Sequence, residues 1–555
     1  MGVYDVVGGI RPGRTAFDVS EKSIFDVDLG RLTPVVIKEV LPGDIVEIES
    51  KFVIRAQPLV VPIYHKITAY VHYFYVPNRI LWTDWESFIT GGVTGDESIP
   101  PPIFDDVNDD FRVDRYGCWD YMHFPITLAG APANSMTMNA TDISKLPFLA
   151  FWAIWRDYYR DSNLQLTFPH TSIDCEQDFV KQINALYDFS IQVISGTSDP
   201  SLDGRLAMDV LPYRCWAKDY FMSALPFQQR GTSPGIGLSG IGSAQWDPQD
   251  FNDPLPGSNW DTVTVRNDVT YGGVFTLSAQ AHANFEQFMN ANILQTSGLG
   301  FTPADLRYAM QTQKWLERNA RAGYRYTEQL QSHFGVSPRD GRLQRPEYIG
   351  GTFAPVVISE VLQTNSDPTS DGPLGSFAGH GMAVTADFAG KYRAQEHGII
   401  VGIMSIMPEA LYQQGVNRAW RRKTRFDYYW PEFAHISEQE ITRGELYWVN
   451  NPNFDDLRFG FQGAFDEYRT AQSYVCGKMA TDLKYWTLSM IFDAPPALNE
   501  AFITTEALSK GRREAWAVPG VADNEQGQFL VQHNMACRML RPMPYLPEPG
   551  LMDHF

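Results

Sequence analysis

The sequence is poor in basic residues. Its 555 residues include 45 lysines and arginines against 65 aspartates and glutamates, which gives a formal net charge of −20 at pH 7. A protein whose main task is to hold nucleic acid normally carries a basic surface. Any contact of this chain with nucleic acid must therefore be local, or shared with a basic partner.

Cysteines and long apolar runs are also scarce. The five cysteines are odd in number and lack the spacing of a metal site: Cys118, Cys175, Cys215, Cys476 and Cys537. Buried thiols in a reducing compartment fit this distribution better than a disulfide framework. No apolar run reaches the roughly 18 residues of a membrane span, so we expect no membrane insertion.

Motifs that carry catalysis are missing as well. The chain contains no H-E-x-x-H, no G-x-S-x-G and no Walker A loop. GIGLSG at 235–240 has the glycine spacing of a dinucleotide-binding loop, but its surroundings predict neither the strand nor the helix that such a loop requires. The stretch 106–110 begins like a calcium loop, yet Phe111 replaces the required glycine. We expect no catalytic residues, no cofactor and no metal site.

What the sequence does have is aromatic β-structure. Residues 46–55 alternate apolar and polar side chains, which predicts a half-buried strand. Residues 67–76 place Ile67, Ala69, Val71, Tyr73 and Tyr75 on one face of a second strand, and an aromatic, amphipathic set on the other. Pro77 ends this strand. The continuous apolar run at 396–408 predicts a strand that is buried on both faces.

Other segments predict further strands and helices at long intervals. Strands are expected at 353–362, 484–492 and 527–540. Helices are expected at 148–160, 303–322 and 327–334, and 228–259 has the composition of a loop. Strands that are distant in sequence but share one sheet system imply a β-scaffold with large insertions.

The densest local signal is a basic and aromatic cluster at 417–430. Five cations occur within eight residues, interleaved with aromatic rings: Arg418, Trp420, Arg421, Arg422, Lys423 and Arg425. Cations neutralise phosphates and rings stack on unpaired bases, so the cluster is a candidate contact for single-stranded nucleic acid. The alternative is that the arginines pair with acidic residues of a neighbouring subunit, because arginine and aromatics also favour protein interfaces.

Together these stretches resemble the major capsid proteins of small single-stranded DNA phages, the Microviridae, and look most similar to the gokushovirus branch. The matching runs follow the family's order over most of the chain: EVLPGDIVEIES, PLVVPIYHKITAYVHYFYVPNRILWTDWESFITGG, WAKDYFMSALPFQQRG, ERNARAGYRYTEQLQSHFGVSPRDGRLQRPEYIGG, EHGIIVGIMSI, YQQGVNRAWRRKTRFDYYWPEFAHI and CRMLRPMPYLPEPGL. The similarity is weakest at about 235–275 and 505–525.

The resemblance implies a mainly β fold, an eight-stranded antiparallel viral jelly roll with long, partly helical loop insertions. Residues 1–555 would form one discontinuous capsid domain with a helical insertion at 303–335. Copies would assemble into a T=1 icosahedral shell around circular single-stranded DNA, helped by a small basic DNA-packaging protein. The protein would be part of the virion, assembled in the cytoplasm of a bacterial host.

The resemblance also implies an insertion loop that projects at the threefold axes and contributes to host attachment. The segment 228–275 fits, because it is rich in glycine, serine, proline and aspartate and lies where the similarity fades. Its candidate receptor contacts are Gly235, Gly237, Gly240 and Trp246. A host surface receptor and a spike, minor or pilot protein are further candidate partners.

Two other functions remain open from the residues alone. A carbohydrate-binding jelly-roll protein would also present aromatic β-surfaces, but as a monomer or small oligomer with an exposed aromatic cleft. A nucleic-acid enzyme would need convergent carboxylates or histidines, which the sequence does not offer. The size of the particles that the protein forms distinguishes these functions.

Overall fold

A computed structural model describes most of the chain. The described residues are 13–90, 99–103, 112–113, 117–123, 136–137, 144–165, 211–231, 303–322, 331–334, 339–362, 377–517 and 527–546. The chain divides into two compact units, 1–228 with 319–555, and 229–318. The first unit contains every strand given below. In the second, the described part is residues 229–231 and the helical residues from Pro303 to Arg318.

Thirteen strands are present in the described residues. Their bounds are β1 Thr15–Asp18, β2 Glu21–Val27, β3 Thr33–Val40, β4 Ile45–Ala56, β5 Ile67–Pro77, β6 Arg112–Val113, β7 Met136–Thr137, β8 Glu347–Leu362, β9 Phe377–Arg393, β10 Gly398–Pro408, β11 Glu438–Thr442, β12 Arg458–Gly463 and β13 Phe529–Arg541. The longer helices are Leu146–Ile154 and Pro303–Ala322, with a π-helical turn at Trp155–Tyr159.

Helices of four to six residues are α-helical at Asn78–Leu81, Trp85–Thr90, Cys118–Tyr121, Arg443–Leu446, Pro452–Asp455, Glu500–Ile503 and Glu506–Gly511. Short 3₁₀ turns lie at Asp340–Leu343, Arg418–Trp420, Arg425–Asp427, Pro431–His435, Asp466–Tyr468, Gly477–Ala480, Lys484–Trp486 and Arg513–Ala515. Most of these short elements lie in the long connections between strands, which agrees with a β-scaffold that carries partly helical insertions.

Eight strands form one continuous antiparallel path in the order β1-β13-β4-β9-β8-β5-β10-β3, and β2 pairs with β13 beside it. The path turns at β8. Residues up to Val356 pair with β5, whereas the residues from Val357 onward pair with β9. The sheet therefore curls upon itself, and the expected eight-stranded antiparallel jelly roll with insertions is confirmed.

The alternation in the sequence sets which side chains enter the core. In β4, Val46, Ile48, Phe52 and Ile54 are at most 1% exposed. In β5, the five residues assigned to one face are also buried. Strand β10 is buried along its whole length, because each of its faces lies in a separate apolar cluster. All three predictions of strand and burial are confirmed.

The outer face of β5 packs against the first long helix. Phe74 and Val76 share an apolar cluster with Phe148, Phe151 and Trp152, whose rings occupy one stretch of this helix. Trp119 stacks on Phe148 with a centroid distance of 4.3 Å. The aromatic residues of this strand therefore support an inserted helix rather than an open surface.

The prediction of a strand at 484–492 is wrong. After the 3₁₀ turn at Lys484–Trp486 the chain is irregular, and its N–H groups bond to loops: Met490 donates to the carbonyl of Leu411 at 3.0 Å. Phe492 donates to the Gln414 side chain at 2.7 Å. The apolar pattern reflects the burial of Leu488 and Met490, which these loops provide without a ladder.

Strand β9 was not predicted, because its sequence contains three glycines that weaken a strand assignment. The structure explains why one of these positions requires glycine. Gly379 exchanges two backbone hydrogen bonds of 3.0 Å with Leu59, and a Cβ at this position would lie 2.7 Å from the carbonyl oxygen of Val61. Glycine here permits the close approach of a second segment of chain.

The helix prediction for 303–322 is confirmed. The prediction for 148–160 is also confirmed, with an α-helix at Leu146–Ile154 that continues as a π-helical turn at Trp155–Tyr159. Of the helix expected at 327–334, residues 331–334 are helical and the rest lies outside the described residues. The stretches 106–110 and 232–302 also lie outside them, and so do Gly235, Gly237, Gly240 and Trp246. Within the described residues no helix is long and apolar enough to cross a membrane.

Candidate nucleic-acid interface

The basic and aromatic cluster folds as a series of short turns after β10. Asn417 accepts a hydrogen bond from the N–H of Ala419 at 2.8 Å and begins the first 3₁₀ turn. Asp427 accepts from the N–H groups of Thr424 and Lys423, each at 2.7 Å, and fixes the second. These two backbone bonds are the main reason that the pKa of Asp427 lies below its usual value.

Two arginines of the cluster are bound by acidic residues of the same chain. Arg422 lies 3.2 Å from the carboxylate of Glu467, and the two side chains are 10% and 7% exposed. The ring of Tyr468 lies under its guanidinium at 4.4 Å from the centroid. Arg421 binds Asp456 at 2.6 Å and stacks over Trp448. These contacts leave neither guanidinium free to bind a phosphate.

A third arginine joins a buried acidic group. Arg418 lies 3.2 Å from a carboxylate oxygen of Glu445, whose side chain is 2% exposed. The same carboxylate accepts from the Thr442 hydroxyl at 3.0 Å and from the Tyr220 hydroxyl at 3.0 Å. Burial and the Glu445 charge both raise the pKa of Tyr220 above its usual value. The group ties the cluster to the scaffold.

The other members of the cluster face solvent. Trp420 is 85% exposed and Phe426 is 59% exposed. Lys423 and Arg425 are exposed, and neither side chain forms an ion pair with the part of the chain that the structure describes. The Arg425 guanidinium lies 4.8 Å from the centre of the Phe426 ring. Unpaired cations beside accessible rings are the arrangement that phosphates and unpaired bases require.

The structure therefore divides the six candidate residues into two groups. The inner group is Arg418, Arg421 and Arg422, and the outer group is Trp420, Lys423 and Arg425. Sequence reasoning counted the cations but missed the acidic partners, because these lie tens of residues away along the chain, as Glu467 does from Arg422 and from Arg418. One sequence signal could have indicated a structural role for Glu445. Thr442 and Glu445 have the spacing of a helix capping box, which the structure contains.

A cavity of about 1150 Å³ lies beside the part of the outer face of β5 that contains Thr68, Tyr70 and His72. Its wall includes Tyr70 and His72, and the Arg214 guanidinium lies 4.9 Å from the Tyr70 ring and 5.6 Å from the Tyr159 ring. The Tyr159 hydroxyl bonds the His72 Nδ1 at 2.8 Å. Burial, together with the smaller effect of the Arg214 charge, lowers the pKa of His72 to about 4. These groups bind one another and hold the insertions to the strand.

The described residues contain no group of three or more histidine, cysteine or acidic side chains that could hold a metal ion. Their four cysteines are free thiols, two buried, one partly buried and one exposed. Burial raises the pKa of Cys537 to about 11, which makes this thiol unreactive at neutral pH.

Comparison with known proteins decides the family. The family described as capsid protein (F protein) matches residues 7–551. This chain belongs to the phage capsid protein family. Its strands, its insertions and the order of its matching sequence runs all agree with the Microviridae capsid proteins that the sequence resembles.

Three relatives carry the name capsid protein VP1. The protein of Chlamydia phage 1 is 30% identical over 97% of this chain and 96% of its own length. That of Bdellovibrio phage phiMH2K is 31% identical over 85% of this chain and 84% of its own. That of Spiroplasma virus 4 is 26% identical over 97% and 95%.

Membership of this family makes the chain a major capsid protein of the Microviridae type, a component of the virion that assembles with copies of itself. Its relatives are structural proteins, so the expectation that it is not an enzyme is confirmed by family. The family also favours the capsid function over the carbohydrate-binding alternative.

Proposed function

We propose that copies of this capsid protein close into a T=1 icosahedral shell around a circular single-stranded DNA genome. The jelly roll with long insertions supports this, since the curled sheet supplies a rigid body and the insertions supply surface for neighbours. Assembly would take place in the cytoplasm of the bacterial host. The whole chain would act as one discontinuous domain, with 303–335 as its helical insertion.

The genome contact is the outer group of the cluster, Trp420, Lys423 and Arg425. The observation that carries this proposal is that both cations are exposed beside exposed rings and form no ion pair with any residue that the structure describes. Two cations per subunit cannot neutralise a genome inside a shell whose subunits each carry a net charge of −20. A small basic DNA-packaging protein would therefore supply most of the positive charge, and the outer group would fix local strands.

Changing Trp420, Lys423 and Arg425 together to alanine should give full-size shells that contain at least about twofold less DNA, because phosphate contacts and a stacking ring are lost. The ratio of absorbance at 260 and 280 nm of purified particles measures this. A matched control changes Lys478 and Lys510, two cations outside the cluster, and should leave the DNA content unchanged.

Unchanged DNA content in the triple variant would contradict the proposed contact. Loss of the shells themselves would favour the alternative that the outer group binds a neighbouring subunit. Because the inner arginines are left intact, a general failure to fold is not expected from these three exposed changes.

For host attachment we propose the loop at 228–275, projecting at the threefold axes, with Gly235, Gly237, Gly240 and Trp246 as receptor-contact candidates. Its composition suits an exposed loop, and it coincides with the stretch where similarity to the family runs is weakest. The receptor is a molecule of the host surface, and a spike, minor or pilot protein would be a further partner of the shell.

Deleting residues 235–260 should leave the particles intact and abolish adsorption to host cells. Sedimentation would show the intact particles, and depletion of free particles from a cell suspension would measure adsorption. A matched control replaces the same stretch with a glycine–serine segment of equal length, which should also prevent adsorption if side chains make the contact. Normal adsorption of the deletion variant would rule out this role for the loop.

A further inference from the structure

The outer face of the sheet formed by β2, β13, β4, β9 and β8 carries several exposed apolar side chains among its charged and polar ones. Its inner face fills the core, with Ile54 and Val531 almost fully buried. Seven side chains on the outer side are between 45% and 82% exposed. We call these residues the outer sheet face: Ile24, Val357, Val361, Met382, Val384, Phe388 and Leu530.

The register of the strands makes this face continuous. Leu530 pairs with Arg55, Arg55 with Met382, and Met382 with Val357, so one row of side chains crosses four strands. In the next row, Ile24 pairs with Gln532, which pairs with Val53, and Val53 pairs with Val384. Directly opposed side chains in a sheet lie about 5 Å apart, so the register places Met382 beside Val357 and Val384 beside Val53.

The size of the outer sheet face matches that of a protein interface. Seven side chains at about 100 Å² each present roughly 700 Å² of apolar surface. The largest apolar patch of a typical monomer is about 300–600 Å², and each partner of a standard interface contributes about 800 Å². An area of this size is what a stable contact between two subunits requires.

The charges on the face identify the kind of partner. Lys51 pairs with Glu49 on the same strand, β4, and Lys391 of β9 pairs with Glu47 of the neighbouring β4. Lys22, Arg55 and Arg393 form no ion pair within the described part of the chain. The face thus carries unpaired positive charge in a protein whose net charge is −20. An acidic surface of another copy complements it.

We propose that the outer sheet face is a docking surface for a second copy of this chain, in a heterologous contact with an acidic surface of that copy. A contact between the outer sheet faces of two copies would bring like charges together, because Arg55 of one copy would lie near the cations of the other. Heterologous contacts form rings when their rotation closes, and a closed shell is built from such contacts. The proposal rests on the proposed shell and adds to it, because it assigns the outer sheet face to a specific contact between subunits.

Nucleic acid is a poorer occupant of this surface. Only one of the seven apolar residues, Phe388, carries a ring, and bases stack on rings rather than on aliphatic side chains. The aliphatic majority gains by being removed from water against another apolar surface. Methionine at position 382 suits such a contact, since its side chain adapts to irregular surfaces.

Photo-crosslinking tests the partner directly. The full chain is made with p-benzoyl-phenylalanine at position 384, assembled into particles, irradiated, and digested for mass spectrometry. We expect links from position 384 to an acidic surface of a second copy. Links only within one chain, or only to a different virion protein, would overturn the proposal. If the chain forms no particles, the result contradicts the proposed shell as well as this contact. Intact particles without links between copies would contradict only the proposed role of the outer sheet face.

A substitution tests the energetics. Val384→Asp should fold as a soluble subunit with a nearly unchanged melting temperature, because position 384 faces solvent in the subunit, but should assemble at least about tenfold more weakly, because a carboxylate is then buried in the contact. Val384→Thr keeps the branched shape without the charge and should assemble close to normal. Normal assembly of the aspartate variant would overturn the proposal, and if that variant misfolds the crosslinking result decides.

Discussion

Replacing Arg422 with alanine should destabilise the folded subunit by about 3 kcal/mol and reduce the yield of particles by more than about tenfold. Glu467 would keep only its longer contact of 3.8 Å to Arg418 while remaining shielded from water. The rings of Tyr428 and Tyr468 would also lose the guanidinium between them. Chemical denaturation of the subunit measures the first effect, and sedimentation measures the second.

The adjacent residue is the control. Lys423 is exposed and forms no ion pair with the described residues, so Lys423→Ala should change the free energy of unfolding by less than about 0.5 kcal/mol. Two neighbouring residues with the same charge should thus differ strongly in their effect on the free energy of unfolding. Equal stability of the two variants would contradict the division of the cluster into an inner and an outer group.

Acid should destabilise the barrel through His533. This side chain is 1% exposed inside the barrel, where its Nε2 lies 3.0 Å from the Tyr73 hydroxyl and 3.3 Å from the Ser50 hydroxyl. Burial lowers its pKa to about 4 from 6.5. Between these values the unfolded state binds more protons, so stability is full above pH 6.5 and falls as the pH drops. The loss by pH 4 is about 3 kcal/mol.

The change His533→Gln isolates this effect. Glutamine keeps a polar group near Tyr73 and Ser50 but does not titrate, so unfolding measured from pH 7 to pH 4 should lose about 3 kcal/mol less than in the unchanged chain. His65 and His72, whose pKa values burial also lowers to about 4, contribute equally to both proteins. Identical pH profiles would show that His533 is not responsible.

The sequence predicted the parts of the fold where one periodicity dominates. Strands β4, β5 and β10 alternate or run apolar over ten or more residues, so burial and register follow from the pattern. The segment 484–492 has an apolar pattern of the same kind, but loops satisfy its backbone. Strand β9 lacked the pattern because its glycines serve close chain contacts that depend on Leu59 and Val61, more than 300 residues away.

The candidate site was predictable in composition but not in geometry. The sequence shows that 418–425 is basic and aromatic, and this density singled out the segment. Which cations stay free depends on Glu445, Asp456 and Glu467, which the fold brings to the cluster from later turns. Only the three-dimensional structure separates arginines that brace the insertion from cations that remain available at its surface.

The measurement that tests the central claim most directly is electron microscopy of the purified full-length protein under assembly conditions. We predict uniform closed shells of T=1 size, in which identical copies pack through their insertions and sheet faces. A protein that stays monomeric, or stops at small oligomers even with single-stranded DNA and a basic packaging protein present, would contradict it.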